Sequence, residues 1–248
     1  MVKYKEIYEK LRDDIISGVY PARTYLPKEG ELMKMFSVSR DTIRKALTQL
    51  AAQGYIQKEN GVGSLVLENK TETISFPVAG LVSFKELAST SMGQSAETIV
   101  TDFRMIHPDA AMQEHLNVSA SQEVQFIERV RKIDGERIIL DRDYINPELI
   151  PGLKKEHAQN SLYEYIEQDL GLPVSFARKE ITVIPASRRV KELLDLKDSN
   201  LVVCVRSYNY LENARLFDYT ESLHRPDKFR FVDFSRRERM NSRSSKQS

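Results

Sequence analysis

Between Lys28 and Leu67 the chain reads KEGELMKMFSVSRDTIRKALTQLAAQGYIQKENGVGSLVL, and no other stretch restricts the fold as much. Glu29 and Glu31 follow Pro27 at a place where the positive end of a helix dipole favours acids. Leu32, Met35 and Phe36 supply the core residues of that short helix, and Ser37-Val38-Ser39 makes a turn with Val38 pointing inward. Ser39 is a good N-cap for the next helix. There Ile43, Ala46, Leu47, Leu50 and Ala51 repeat as one buried stripe. Arg40, Asp41, Arg44, Lys45 and Thr48 lie off the stripe, and Gly54 ends the helix. Residues 55–58 and 64–67 read as strands joined through Asn60-Gly61, a strong tight-turn signal.

A solvated amphipathic helix would account for the second of these helices alone; the hairpin behind it decides. Helix, turn, helix with a basic start, then a glycine-containing hairpin is the order of a winged helix-turn-helix. A recognition helix reads bases with its N-terminal residues and holds phosphates with nearby arginines and backbone amides. Double-stranded DNA is therefore the expected partner, through Ser39, Arg40, Thr42, Arg44, Lys45 and Thr48 on the helix. Lys58, Gly61 and Gly63 would meet the backbone or the minor groove, with Lys28 at the start of the module. Gly61-Val62-Gly63 lacks the third glycine and the following helix of a dinucleotide fingerprint. Upstream, Tyr4, Ile7, Tyr8, Leu11 and Ile15 make the apolar face of a first helix running from Tyr4 to about Ser17. Gly18 stops it, and Val19 is expected to close over the stop.

At 248 residues the chain has room for two domains. No apolar run approaches the roughly 20 residues of a membrane span, and the opening MVKYKEIYEK is too charged for a signal peptide. A single cysteine, Cys204 in LVVCVRSY, excludes an internal disulfide and fits a reducing cytoplasm. Residues 1–70 hold 12 Lys/Arg and 9 Asp/Glu, a net +3, against 25 and 27 in the remainder, a net −2. The modest basic bias thus sits on the candidate DNA module. His107, His115, His157 and His224 show no metal-ligand spacing, and no cofactor or catalytic constellation can be argued from residue order.

The segment ENKTETIS, residues 68–75, reads as a polar linker. The expected division is a DNA module over 1–67, a linker over 68–76, a second domain over 77–235 and a polar tail over 236–248. Residues 97–106, 122–133, 137–146, 174–184, 200–211, 215–224 and 229–234 look strand-like. Residues 108–116, 161–170 and 186–194 look helical. Adjacent strands with few helices predict an antiparallel sheet with helices packed on it, an α+β layout.

In VQFIERVRKIDG, alternation puts Ile127, Arg129, Arg131 and Ile133 on one face. Two readings fit: an edge strand whose aliphatic stems cover apolar surface, or an arginine pair at a pocket wall suited to phosphate or carboxylate. Asp134-Gly135 then turns the chain into RIILDRDYIN. A two-residue loop would set Arg129 opposite Leu140. A three-residue loop, 134–136, sets Arg129 opposite Asp141 and Arg131 opposite Ile139, and this is the register we expect. Asp141 would then sit on the arginine face, either as a hydroxyl acceptor or as a simple cross-strand ion pair.

Two resemblances add to this. The run Leu26-Pro27, then Ser39-Arg40-x-Thr42-x-Arg44-x-Ala46-Leu47-x-x-Leu50, then Gly61-x-Gly63 resembles the N-terminal domain of GntR-family bacterial transcription regulators. It implies DNA contacts by Arg40, Thr42, Arg44 and Gly63. Where that family often carries Ser-Glu-Arg-Glu, with the arginine reaching DNA, this chain has Lys28-Glu29-Gly30-Glu31, so Gly30 cannot make that contact. Behind it, GLVSFKEL, Arg129-x-Arg131 before Asp-Gly, Asp141, PELIPGL and HRPDKFRF are similar to the UTRA effector domain of the HutC subgroup, a chorismate lyase-like fold. That resemblance implies an anion held by Ser83, Phe84 and Lys85 with Arg129 completing a phosphate site, and sugar hydroxyls held by Arg131, Asp141 and Asp218. His224 stands where relatives often carry a tyrosine, and Asp218 where some carry glutamate. GLVSFKE, LDRDYIN and YTESLHRPDKFRF together most resemble the trehalose-responsive repressors of the family. The implied protein is a homodimer that leaves its operator when a sugar phosphate binds, trehalose 6-phosphate first and glucosamine 6-phosphate or N-acetylglucosamine 6-phosphate as alternatives.

Overall fold

The computed structural model describes residues 3–59, 61–68, 84 and 95–231. They fall into two units, the first within residues 1–73 and the second within 74–232.

In the first unit, helices α1 (Lys3–Ile16), α2 (Glu29–Phe36) and α3 (Arg40–Ala52) precede a hairpin of β1 (Ile56–Glu59) and β2 (Gly63–Val66). Ile7, Leu11 and Ile15 of α1 pack with Leu32 of α2 and the α3 stripe, and Ile56 and Val66 close that core from the hairpin. The turn after α2 works through Ser37, whose φ of 52° is left-handed. This lets the Val38 amide reach the Met33 carbonyl at 3.2 Å and brings Val38 onto the core. Two expected packing residues face outward instead. Met35 is 59% exposed, because Leu32, Met33 and Phe36 already define the inner side of so short a helix. Val19 is 62% exposed, and Tyr20 packs on the core in its place.

The second unit is built on six antiparallel strands in the order β3-β4-β5-β8-β7-β6. These are β3 (Ala96–Ile106), β4 (Val124–Ile133), β5 (Glu136–Ile145), β6 (Val174–Pro185), β7 (Leu201–Leu211) and β8 (Leu216–His224). Helices α4 (Ala110–Leu116), α5 (Lys155–Asn160), α6 (Leu162–Glu164) and α7 (Arg188–Leu193) pack on it. The helix expected over 161–170 is a three-residue α-turn that widens into a π-turn at Tyr165–Asp169, and α5 was not foreseen. The strand expected over 229–234 does not form in its described part: Pro226–Lys228 is a 3₁₀ turn and residues 229–231 carry no strand.

β4 is an interior strand between β3 and β5, so the edge-strand reading of its arginines fails. The hairpin after it reaches the expected register by an unexpected route. Its loop has two residues, not three: Ile133 pairs with Glu136, and Asp134 and Gly135 take φ of 50° and 81°. Two successive positive φ values define the turn that matches the right-handed twist of the flanking strands. A β-bulge follows, since Lys132 pairs with Arg137 while Arg131 pairs with Ile139. The extra residue, Ile138, moves β5 along by one, so that Arg129 faces Asp141.

Strand alternation then sorts the two faces. One carries Arg129, Arg131, Asp141 and Asp143, joined across β8 by Asp218, Thr220, Ser222 and His224. Ala158, Leu162 and Ile166 of the α5–α6 segment pack over part of it against Ile127 and Ile145. The opposite face takes Val190 of α7 against Val130, Leu140, Cys204 and Leu223, and Met112 and Leu116 of α4 against Tyr208 and Tyr219.

Candidate functional site

In the first unit, the Ser39 hydroxyl caps α3 by accepting the Thr42 amide at 3.4 Å, and it lies 2.9 Å from Thr42 Oγ1. This holds the start of α3 open to solvent, with Arg40 and Arg44 side chains 63% and 60% exposed. Both arginines lean on Glu29: Arg44 Nε donates to Oε1 and Oε2 at 3.3 and 3.2 Å, and Arg40 Nε lies 3.9 Å from Oε2. Exposed pairs of this kind contribute little to stability; what they do here is gather two cations at one end of the helix. Lys45 pairs with Asp41 at 2.8 Å. Lys58 donates to the Thr48 hydroxyl at 2.9 Å, tying the hairpin to α3. Lys28 begins α2, its amide donating to Glu31 at 2.8 Å.

The wing is shaped by its glycines and by Tyr25. Gly61 has a φ of +78°, and a Cβ at Gly63 would stand 3.3 Å from Tyr25 Cδ1. Tyr25 is fixed by donating to Glu59 Oε2 at 2.7 Å. At Gly30, by contrast, nothing lies within 4 Å of a Cβ, so space does not dictate the missing arginine.

In the second unit the charged face forms a nearly dry network. Arg129 donates to both oxygens of Asp143, from Nη2 at 2.8 and 2.7 Å and from Nε at 3.1 Å, and to the Ala158 carbonyl at 3.3 Å. Arg131 Nε donates to Asp141 at 2.8 Å and its Nη1 to the Thr98 hydroxyl at 2.6 Å. The two arginines thus pair along diagonals rather than side by side. Arg131 also lies 4.9 Å from the centre of the Phe84 ring. Phe84 therefore packs beside Arg131, while the guanidinium of Arg129 faces Asp143. Ser83 and Lys85 themselves lie outside the described residues.

Burial opposes every one of these charges, and the neighbours decide the outcome. For Asp141, Arg131 and Arg129 outweigh burial and hold the carboxyl below its ordinary value. For Asp143, burial prevails over the Arg129 fork and raises the pKa. Asp218 is pushed up to about 8 by burial and by Asp143. It accepts from Asn209 Nδ2 at 2.7 Å and from the Thr220 hydroxyl at 2.9 Å. His224 is buried, which lowers its pKa to about 4 and leaves the ring neutral. Tyr163 sits near Asp218 and Asp143, and burial together with these acids raises its pKa.

Ser222, His224 and Asp141 do come together, but not as a nucleophile and its base. The Ser222 hydroxyl donates to Asp141 Oδ1, with His224 Nε2 3.1 Å away. Its proton is held by a carboxylate, while a triad requires the carboxylate on the histidine. Asp143, Ser222, Thr220, Asn209 and Thr98 belong to this face and were missed from the sequence. For Asp143, Thr220 and Ser222 a signal existed: each is two residues from a residue that had been singled out.

Residues 3–66 match the family described as bacterial regulatory proteins, gntR family, and residues 91–230 match the UTRA domain. The chain is 48% identical over 235 residues to the HTH-type transcriptional regulator TreR of Bacillus subtilis, covering 95% of this chain and 98% of that protein. It is 28% identical over 231 residues to the HTH-type transcriptional repressor NagR of the same species, covering 93% of each. Two solved structures agree. The possible transcriptional regulator YydK of B. subtilis superposes with a TM-score of 0.78 at 25% identity, over 95% of this chain and 100% of that one. The effector binding domain of the B. subtilis trehalose repressor TreR superposes with a TM-score of 0.53 at 47% identity, over 58% of this chain and 99% of that one. The relatives are transcriptional regulators, and among the described residues no helix is long and apolar enough to cross a membrane. With a winged helix-turn-helix module followed by a buried sheet face of paired arginines and aspartates, this chain belongs to the gntR family of bacterial regulatory proteins and carries a UTRA domain.

Proposed function

We propose that this protein is a cytoplasmic homodimeric repressor of a trehalose-utilisation operon, released from its operator by trehalose 6-phosphate. The observation that carries this reading is the 48% identity to TreR over 95% of the chain. The chemistry of the charged face is its physical support. In this reading, residues 1–67 contact DNA, 68–76 link, and 77–235 bind the effector and make the dimer.

Arg40, Thr42 and Arg44 meet the major groove, aided by Lys28, Ser39, Lys45 and Thr48. Lys58, Gly61 and Gly63 carry the wing to the sugar-phosphate backbone. The phosphate of the effector is taken by Ser83, Phe84 and Lys85 together with Arg131. Arg129, to which the resemblance gives the phosphate, acts behind it in this reading, because Asp143 holds its guanidinium while Phe84 packs on Arg131. Asp141, Asp218 and His224 meet sugar hydroxyls. A bound effector favours an arrangement of the two winged modules that no longer matches both half-sites. A coupling of about 1–3 kcal/mol changes operator affinity roughly 5–150-fold.

The test is a thermal-shift and operator-release panel of trehalose 6-phosphate, glucosamine 6-phosphate, N-acetylglucosamine 6-phosphate and trehalose. Trehalose 6-phosphate alone is expected to stabilise the protein and free the operator. If it does neither while another sugar phosphate does, the effector assignment falls and the regulator remains. Arg44→Ala should lose operator binding and keep the thermal shift.

A further inference from the structure

We infer that Asp218 and Asn209 form a proton-bearing acid–amide pair in the charged face, and that effector recognition is coupled to that proton. The second half of this inference rests on the sugar-phosphate reading above; the first half does not.

The two residues face each other directly across β8 and β7, and each is only 3% exposed. Asn209 Nδ2 donates to Asp218 Oδ2 at 2.7 Å. Their other oxygens, Asn209 Oδ1 and Asp218 Oδ1, are buried and have no hydrogen-bond partner among the described residues. Two buried acceptors left without a donor are costly. A proton on Asp218 Oδ1 answers both at once. The carboxyl O–H donates to the amide oxygen, and the two planar groups close a ring of two hydrogen bonds. With Asp218 ionised, the same two oxygens repel each other.

The charges around the pair point the same way. Arg129 of β4 and Arg131 are matched by Asp143 of β5 and Asp141, so Asp218 is a third acid with no cation of its own among the described residues. The Thr220 hydroxyl has one hydrogen for two acids, with Asp218 Oδ2 at 2.9 Å and Asp143 Oδ1 at 3.4 Å. From α6, Tyr163 adds no positive charge. Lys179 of β6 lies farther off, in the row that runs from Asp143 through Thr220 and Ser207. Burial and the proximity of Asp143 raise the Asp218 pKa to about 8 in keeping with this arrangement.

A neutral Asp218 leaves the face electrically balanced and able to receive an anion. A sugar hydroxyl entering the pair would open the O–H bond between Asp218 and Asn209 and replace it, accepting from Asp218 and donating to Asn209 Oδ1. An ionised Asp218 would repel the phosphate and could only accept. Asn209 thereby becomes a specificity-determining residue.

The test has two arms on the full-length protein. First, aspartate carboxyl carbons are labelled with ¹³C and titrated by NMR without ligand. One carboxyl should titrate near pH 8 in the wild type and be missing in Asp218→Asn. If every aspartate has finished titrating below pH 6, the inference is overturned. The wild-type titration decides this even where the variant does not fold.

Second, trehalose 6-phosphate affinity is measured between pH 7 and 9, where a phosphate monoester is already close to fully ionised. Loss of one required proton near pH 8 weakens binding about tenfold over this range in the wild type, with no such slope in Asp218→Asn. Equal slopes in both proteins would refute the coupling. If trehalose 6-phosphate binds at no pH, the effector assignment is what fails, and the carboxyl titration still decides whether Asp218 carries a proton.

Discussion

Replacing Asp143 by alanine tests the energetics of the charged face most directly. Arg129 is 5% exposed, and three of its four close hydrogen bonds end on Asp143, the fourth on the Ala158 carbonyl. Asp143→Ala would strand a guanidinium that cannot lose its proton. Breaking a buried pair by removing one partner costs about 3–5 kcal/mol. For a unit of this size each kcal/mol is worth roughly 2–4 °C, so the expected loss in Tm is on the order of 10 °C. Arg129→Ala should cost less, because burial already raises the Asp143 pKa and the freed acid can neutralise itself. The double variant Arg129→Met/Asp143→Leu should recover most of the lost stability, since apolar side chains of similar size replace buried pairs at little cost. Calorimetry of the wild type and these three variants at pH 7 compares the losses. If Asp143→Ala loses under about 1 kcal/mol, or if the double variant is as unstable as the two single losses added, the buried-pair argument is wrong.

Two further outcomes follow from single residues. Gly30→Arg should fit without strain, because a Cβ there meets nothing within 4 Å. It should also stabilise α2 by roughly 0.5–1 kcal/mol and strengthen operator binding in a gel-shift titration; unchanged or weaker binding would show that the position does not reach DNA. The Asp141 pKa is lowered in the folded protein. Its pairing therefore adds stability that is fully present above the unfolded value of about 3.9 and is lost as pH falls through the lowered folded value. Urea melts from pH 6 to 3 should show Asp141→Asn closing its gap to the wild type on acidification; a constant gap would contradict this.

The first unit was legible because local rules carry it. Ser39 as a cap, the α3 stripe and the positive φ of Gly61 each act within a few residues, and all agree. What misled there was rotation about a short axis: Met35 is apolar, yet α2 has room for only one inner side. In the second unit the strands were legible from alternation, but the partners of the charges were not. Arg129 and Asp141 do face each other in register, while the guanidinium reaches diagonally to Asp143. Side-chain direction, not register, decides such pairings. Asn209 could not be singled out, since it joins the face only through the β5-β8-β7 order, which non-local contacts set.

The bulge at Ile138 separates two requirements that a plain hairpin would bind together. Asp134-Gly135 is free to adopt the turn its backbone prefers, while the frame of β5 is set one step later by a single inserted residue. Were β5 to pair with β4 without the bulge, Ile138 would fall opposite Arg131 and Leu140 opposite Arg129. That pairing would transpose the whole of β5, sending Asp141 and Asp143 to the side where α4 and α7 pack and putting Leu140 and Arg142 in their place on the arginine face. The bulge thus acts as a phase setter for the electrostatics of the domain: it lets a two-residue turn deliver Asp141 opposite Arg129, so the charge pattern of the face depends on how the turn is left and not only on which residues follow it.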